Sequence, residues 1–525
     1  MASQSAVFAA KTISDHEIHI LYKIDGVDVS AGPSVALSQL AHGSAIGVPD
    51  DQKAALEGRY AQATVWKRNT STDAGQDFHN HIREIISGRR EDLATLWTLD
   101  DTAKRFLESA SLYEEAKDQA LRVKKCLILT LSKAATQRLT NHSIESGQFF
   151  VNIRDVRLTL FKTGHGFGSA IVEFERPDRA KLTALELLEA QIAIGRFNKI
   201  SWVDVKTRAP VAGAPFTLGQ MIRRLALGDI SEENTAERVA TYTYAQFAEP
   251  VPTTDRDVFA LHLARHYTTD YVTSLNIGGV AFVTDFETVR HAVALEGAAT
   301  IVGAPPDAPD LPAFLQNFKT GTFRRHYIPI ALLAQHEHAF LVQRTSASVI
   351  SKTEMNDYRK TVKRLEELRE SSLAFRLCYR FSELSFITMH NALNRAFRRV
   401  LHLDRMLEEL DSDVAGVEMH LREVQEAKDR RNEQEKHRRF YWTTVTGSAA
   451  LAGLTTFTIF KELGEIFFHH NQETAGQVAA VLGVVIAAIA GFSGYRKGPS
   501  VHGEEHGDHL TVHAMLDHMI ERALK

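Results

Sequence analysis

The sequence predicts an α/β cytosolic domain plus a long α-helical stalk and two C-terminal transmembrane helices, assembled as an oligomer. Two uncharged runs near the C-terminus, a heptad seam leading toward the first, and mixed strand and helix patterning before it carry that prediction. At 525 residues the chain has room for more than one domain. Charged residues make up 24% and hydrophobic ones 44%, which is globular rather than disordered or wholly membranous. A net charge of −4 argues against a general nucleic-acid binder, which would be basic. The only cysteines, Cys126 and Cys378, have no CxxC spacing and read as core residues of a reduced compartment. Residues 1–25 contain Asp15, Glu17 and Lys23 and build no apolar stretch of signal-peptide length.

Residues 1–145 read as a mixed α/β, mostly helical part. Within it, residues 17–29 alternate around Ile18, Ile20 and Tyr22 and turn at Asp25-Gly26, whereas residues 50–140 look helical. Residues 146–350 read as an α/β cytosolic sensor-like domain. There Val156, Leu158 and Leu160 alternate, a turn containing Gly164, Gly166 and Gly168 follows, and a strand resumes at Ile171. The glycine spacing is not GxGxxG, and a strand rather than a helix comes next, so the run reads as a structural turn, not a phosphate loop. A helix over 182–197, strands near 201–205 and 278–284, and a Pro-rich loop over 304–312 complete this part.

Residues 351–439 form the predicted stalk. Phe386, Met389, Leu393, Ala396, Val400, Leu403, Leu407, Leu410, Val414, Val417, Leu421 and Val424 alternate spacings of three and four. This is a heptad seam, and it predicts one helix from about 386 through 460, roughly 110 Å long. A shorter amphipathic helix over 353–372 precedes it and folds back along it. The seam serves an internal bundle, an intersubunit stalk, or both.

Residues 440–497 form the predicted two-span hairpin. Uncharged runs over 440–460 and 474–495 are each long enough to cross roughly 30 Å of hydrocarbon. Basic residues flank the outer ends of both, and Glu462, Glu465 and Glu473 dominate the connection, which places both termini in the cytoplasm. Small residues crowd the second run, and Ala449 and Gly453 have small-xxx-small spacing in the first, so these helices are built to pack and imply self-association. On a helical wheel Thr444, Ser448, Leu451, Thr455 and Thr458 share one face that ends at Glu462. In a symmetric ring that face would line a pore, with Glu462, and secondarily Glu465, as an acidic outer mouth. The alternative is that the hydroxyls bond back to carbonyls one turn earlier. Residues 498–525 form a His-rich cytoplasmic tail, where His502, His506, His509 and His513 read as solvated or, alternatively, metal-binding. No HExxH, GxSxG or paired CxxC occurs, and the chain reads as a non-enzyme.

This layout resembles the CorA family of two-transmembrane channels and transporters, well over about 353–497 and loosely before it. The family's Gly-Met-Asn signature is absent: the first run ends Phe460-Lys461-Glu462-Leu463-Gly464-Glu465. The segment Leu158-Thr159-Leu160-Phe161-Lys162-Thr163-Gly164 is also similar to one in divergent CorA-like proteins of bacterial defence, some beside type III CRISPR loci. The resemblance implies a homopentameric, cation-permeable channel in the bacterial inner membrane, gated by a cytosolic domain, with a nucleotide second messenger as ligand and a divalent cation as a further candidate. Two other readings stand beside it: a housekeeping magnesium transporter with a divergent filter, and a non-conducting membrane-anchored coiled-coil scaffold.

Overall fold

A computed structural model of the chain describes residues 4–36, 64–70, 76–101, 103, 125–130, 148–195, 200–204, 216–228, 236–271, 278–305, 311–348, 358–467 and 472–496. It divides into two compact units, Met1–Ala415 and Gly416–Lys525. In chain order the strands are β1 (Ile13–Ile24), β2 (Trp66–Arg68), β3 (Ala94–Leu99), β4 (Lys125–Thr130), β5 (Gln148–Phe161), β6 (His165–Glu175), β7 (Ile200–Asp204), β8 (Glu237–Phe247), β9 (Val280–Val283), β10 (Val289–Ala294) and β11 (Gly297–Val302). They pair into one sheet ordered β2-β3-β5-β6-β1-β8-β11-β10-β9, with β4 bridging β5 to β7. Strands from 1–145 and from 146–350 interleave, so the two stretches share one core. The described part of 50–140 contains β2, β3 and β4, where the sequence predicts mostly helix. β2 pairs with β3, β3 with β5, and β4 with β5 and β7, and these pairings override local preference.

Sequence patterning accounts for the centre of the sheet. In β1 the even positions Ile18, Ile20, Tyr22 and Ile24 enter one core, while Glu17 and His19 point to the opposite face, as period-two alternation requires. The β5–β6 hairpin turns at Gly164, whose φ of +96° lies in the region favouring glycine. At Gly168 a Cβ would fall 2.5 Å from Ile222 Cγ2, so the glycine run serves a turn and a close helix approach.

Helices cover both faces. On one lie α1 (Gln4–Ala9), α3 (Ala184–Gly195), α4 (Leu218–Leu227) and α5 (Thr253–Arg265), with α2 (Asn80–Ile86) on the other. That second face is closed by a π-helix (Phe318–Tyr327), α6 (Ile328–Ser348), α7 (Tyr358–Tyr379), α8 (Thr388–Val400) and the start of α9 (Leu403–Phe467). A final helix, α10 (Gln472–Arg496), belongs to the second unit.

The heptad seam is one continuous pattern in sequence but two helices in space. Leu401 and His402 interrupt it, and His402 adopts a left-handed φ of 54° between α8 and α9. Met389, Leu393, Ala396, Val400, Leu403, Leu407 and Leu410 are buried against the sheet and α6, so over this stretch the seam is internal packing. From Glu426 to Phe440 every residue of α9 is exposed.

The expectation of two transmembrane helices is overturned. Among the described residues no helix is long and apolar enough to cross a membrane. With the spans go the inner-membrane placement, the orientation of the termini and the channel built on them. Absence of charge over some 20 residues gives a run its length, not its apolarity. The first run has six threonines, and α9 carries it as the end of a 65-residue polar helix. The His-rich tail lies outside the described residues, as does the side chain of Cys126, whereas Cys378 is a half-buried free thiol.

The π-helix is held to the sheet by charge. Arg324 grips the fully buried Glu17 with both Nε and Nη2, and His19 Nε2 lies 2.5 Å from the same carboxylate. Lys319 Nζ reaches Asp15 at 2.7 Å and Glu173 at 3.4 Å. Burial alone would raise the Glu17 carboxyl, but the hydrogen bonds from Arg324 and His19 outweigh it and hold the group at about 2 rather than its ordinary 4.5. A carboxyl depressed by folding stabilises the native state at neutral pH and loses that contribution as pH falls from about 4.5 toward 2. Glu17→Gln is expected to cost about 3 kcal/mol at pH 7. In chemical denaturation the gap to wild type should narrow steadily below pH 4.5; a gap constant between pH 5 and pH 3 would contradict the pairing.

Candidate functional site

The hydroxyl stripe expected to line a pore lies on an exposed face of α9. Thr444, Ser448, Leu451, Thr455, Thr458 and Glu462 are all exposed. Thr444 Oγ1 donates to Phe440 O at 2.8 Å, Thr455 Oγ1 to Leu451 O at 2.9 Å and Thr458 Oγ1 to Leu454 O at 2.8 Å. Each of these threonines thus donates its proton to its own helix. The side chain of Glu465 lies outside the described residues. The small residues act elsewhere, between the two helices of the second unit. A Cβ at Gly453 would lie 3.2 Å from both Ala487 Cβ and Gly483 O, and one at Gly483 would lie 3.1 Å from Gly453 O. With Ala449 and Ala479 buried as well, the spacing read as a sign of association between subunits brings α9 and α10 of one chain together.

A different site is assembled in the first unit, where α7 ends, α8 runs and α9 begins. A cleft of about 680 Å³ is lined by Arg380, Phe381, Ser382, Arg395, Arg398, Arg399 and Asp404. Its frame is fixed. Tyr379 OH donates to Leu93 O at 2.6 Å, anchoring the end of α7 to the sheet. Asn391 Oδ1 accepts from Leu384 N and Ser385 N, and Ser385 Oγ accepts from Ile387 N, which shapes the loop into α8. Phe381 packs its ring 4.8 Å from that of His81.

The arginines fall into two classes. Arg398 is only 10% exposed and bridges two acids: Nη1 donates to Glu337 Oε2 on α6 and Nη2 to Asp404 Oδ1 on α9, both at 2.6 Å. Arg380 Nη2 donates to the same Asp404 Oδ1 at 2.9 Å. Burial pushes the Glu337 carboxyl up against the pull of Arg398. Burial also works to raise Asp404, but Arg398 and Arg380 outweigh it and hold that carboxyl below its usual range. By contrast, Arg395 and Arg399 sit one turn apart on α8, exposed, and among the described residues neither side chain has an ion-pair partner.

Four guanidiniums against one aspartate make the lining strongly positive. Guanidinium forks match the geometry of phosphate and carboxylate oxygens, so the chemistry of the lining suits an anion with more than one negative charge. The cleft is absent from the sequence reading because its arginines come from α8 and the loop before it and follow no fixed-spacing motif. One signal was available: between Arg380 and Arg399 the sequence holds a single acid, Glu383. Compared with models of known families and with curated proteins, the chain matches none.

The close approach of α9 and α10 has a measurable consequence. Gly453→Leu and Gly483→Leu should each destabilise the hairpin by about 2 kcal/mol through overpacking. Limited proteolysis within residues 440–496 should then run at least about fivefold faster; unchanged cleavage in both variants would show that the glycines do not set the approach.

Proposed function

We propose that this chain is an anion-responsive sensor whose first unit binds a phosphate-bearing ligand, a nucleotide among the candidates, and passes occupancy to α9. The observation that carries the reading is the arginine cleft at the root of that helix, where Arg395 and Arg399 have no ion-pair partner among the described residues. A ligand with two or more phosphate charges supplies the missing counter-charge, and Phe381 offers a ring face at the edge of the same cleft for a planar group. The lining supplies binding groups rather than a reacting pair, so the reading is recognition.

Assembly belongs to the same proposal. Leu451, Leu454 and Ile459 on α9 and Val478, Val485 and Ile489 on α10 are exposed. Exposed apolar side chains on both helices of the pair point to an interaction site. A second copy presents the same face, so self-association into a closed homo-oligomer covers it without another partner.

Calorimetric titration with inorganic pyrophosphate and with ATP tests the first part. Wild-type protein should bind at least one of them with an affinity that falls as salt rises. Arg395→Ala and Arg399→Ala should each weaken binding about tenfold, the loss of one charge-assisted contact. No binding of either probe by folded protein, or wild-type affinity in both variants, would sink the reading. Sedimentation velocity tests the second part: wild type should be oligomeric, a triple Leu451→Gln, Ile459→Gln, Val485→Gln variant should dissociate, and a monomeric wild type would overturn it.

A further inference from the structure

We propose that Asp404 is a tethered counter-ion that the bound anion displaces, so that ligand entry frees the first turn of α9. The inference rests on the arginine cleft being an anion site and adds its means of regulation.

Three observations meet at this residue. First, Asp404 Oδ1 takes the position a ligand oxygen would take, shared by Arg380 Nη2 at 2.9 Å and Arg398 Nη2 at 2.6 Å. Its side chain is 55% exposed, so water and ligand both reach it. Arg398 stays in place without Asp404, because Glu337 holds its other nitrogen at 2.6 Å from behind. An incoming phosphate therefore meets a positioned guanidinium whose remaining fork is occupied only by an exposed carboxylate.

Second, Asp404 stands two residues after His402, whose left-handed φ of 54° breaks the helix. A non-glycine residue in that region carries backbone strain, and such strain persists where neighbouring contacts over-determine it. Asp404 supplies one such contact, tying the start of α9 to the end of α7. The Arg376–Asp411 ion pair ties the same two helices farther along. Third, the seam does not need the break: Val400, Leu403 and Leu407 keep the three-four spacing across it. The residues on either side of His402 thus suit a straighter path as well as the one observed, and the Asp404 contact favours the latter.

Displacement has a thermodynamic signature. An internal carboxylate that competes with the ligand lowers apparent affinity by the factor with which it occupies the site. Asp404→Asn removes the competing charge and should tighten pyrophosphate binding about tenfold. Hydrogen exchange of the full chain reads the second consequence: pyrophosphate should accelerate exchange of the amides of residues 403–407 in wild type, and in Asp404→Asn those amides should exchange fast without it. Equal or weaker pyrophosphate binding by folded Asp404→Asn would overturn the proposal. So would wild-type exchange in the first turn that pyrophosphate leaves unchanged or slows, a result that stands even if the variant does not fold. In either case, continued dependence of binding on Arg395 and Arg399 would leave the cleft intact as a site, whereas loss of that dependence would remove the site itself.

Discussion

A carboxylate with no exposure in the middle of a sheet has to be met by a cation, and Glu17 is met by Arg324. Most of the first unit's second layer is positioned by that requirement. β1 is flanked by β6 on one side and β8 on the other, so Glu17 cannot move without the sheet. Arg324 belongs to the π-helix, and the π-helix runs without interruption into α6. Glu337 on α6 then fixes Arg398, and Arg398 is the least exposed arginine of the cleft. Two ion pairs joined by one continuous helical stretch thus lead from the centre of the sheet to the arginine site, each acid holding its base at a set place. Buried pairs of this kind add little net stability compared with apolar packing, but a partner left alone costs several kcal/mol, which penalises other arrangements.

The periodic parts of this fold are legible in the sequence, and the relations between them are not. β1, β5 and β6 show their alternation, and Gly164 shows the turn, because a half-buried strand writes its faces into successive residues. The size of the sheet leaves no such mark. The β1–β8 register, with Ile18 opposite Thr243, joins residues over 200 positions apart, and the parallel β8–β11 pairing follows from no local signal. The heptad seam is visible residue by residue, yet the break at His402 is silent, since Val400 to Leu403 is a regular spacing. The same limit hides the arginine cleft, where Arg380 and Arg395 become neighbours of Asp404 only after α7, α8 and α9 have packed.

The hairpin shows the converse failure, in which a local feature is plain and its meaning depends on partners. Lack of charge over 440–460 is a fact of sequence, but a threonine counts as polar or apolar according to where its proton goes. In α9 Thr443, Thr444, Thr446, Thr455, Thr456 and Thr458 all donate to backbone carbonyls of the preceding turn. Small residues carry the same ambiguity. Gly453 and Gly483 suit any close helix contact, and the partner each meets is the other, within one chain.

Back-bonding changes what the exposed face of α9 offers. A threonine that has given its proton to its own helix turns a methyl group and a weakly accepting oxygen outward. The face bearing Thr444, Thr455 and Thr458 is therefore less polar to a partner than its composition suggests, and it lies beside the exposed Leu451, Leu454 and Ile459. The arginine cleft is the opposite case: among the described residues the side chains of Arg395 and Arg399 have no ion-pair partner. One helix, α9, thus starts at a site short of negative charge and continues into a surface short of apolar cover. On the proposed reading each deficit selects a different kind of partner, one an anion and the other a second apolar face. Because Asp404 lies in the first turn of α9, the proposed anion meets that helix directly rather than through another element.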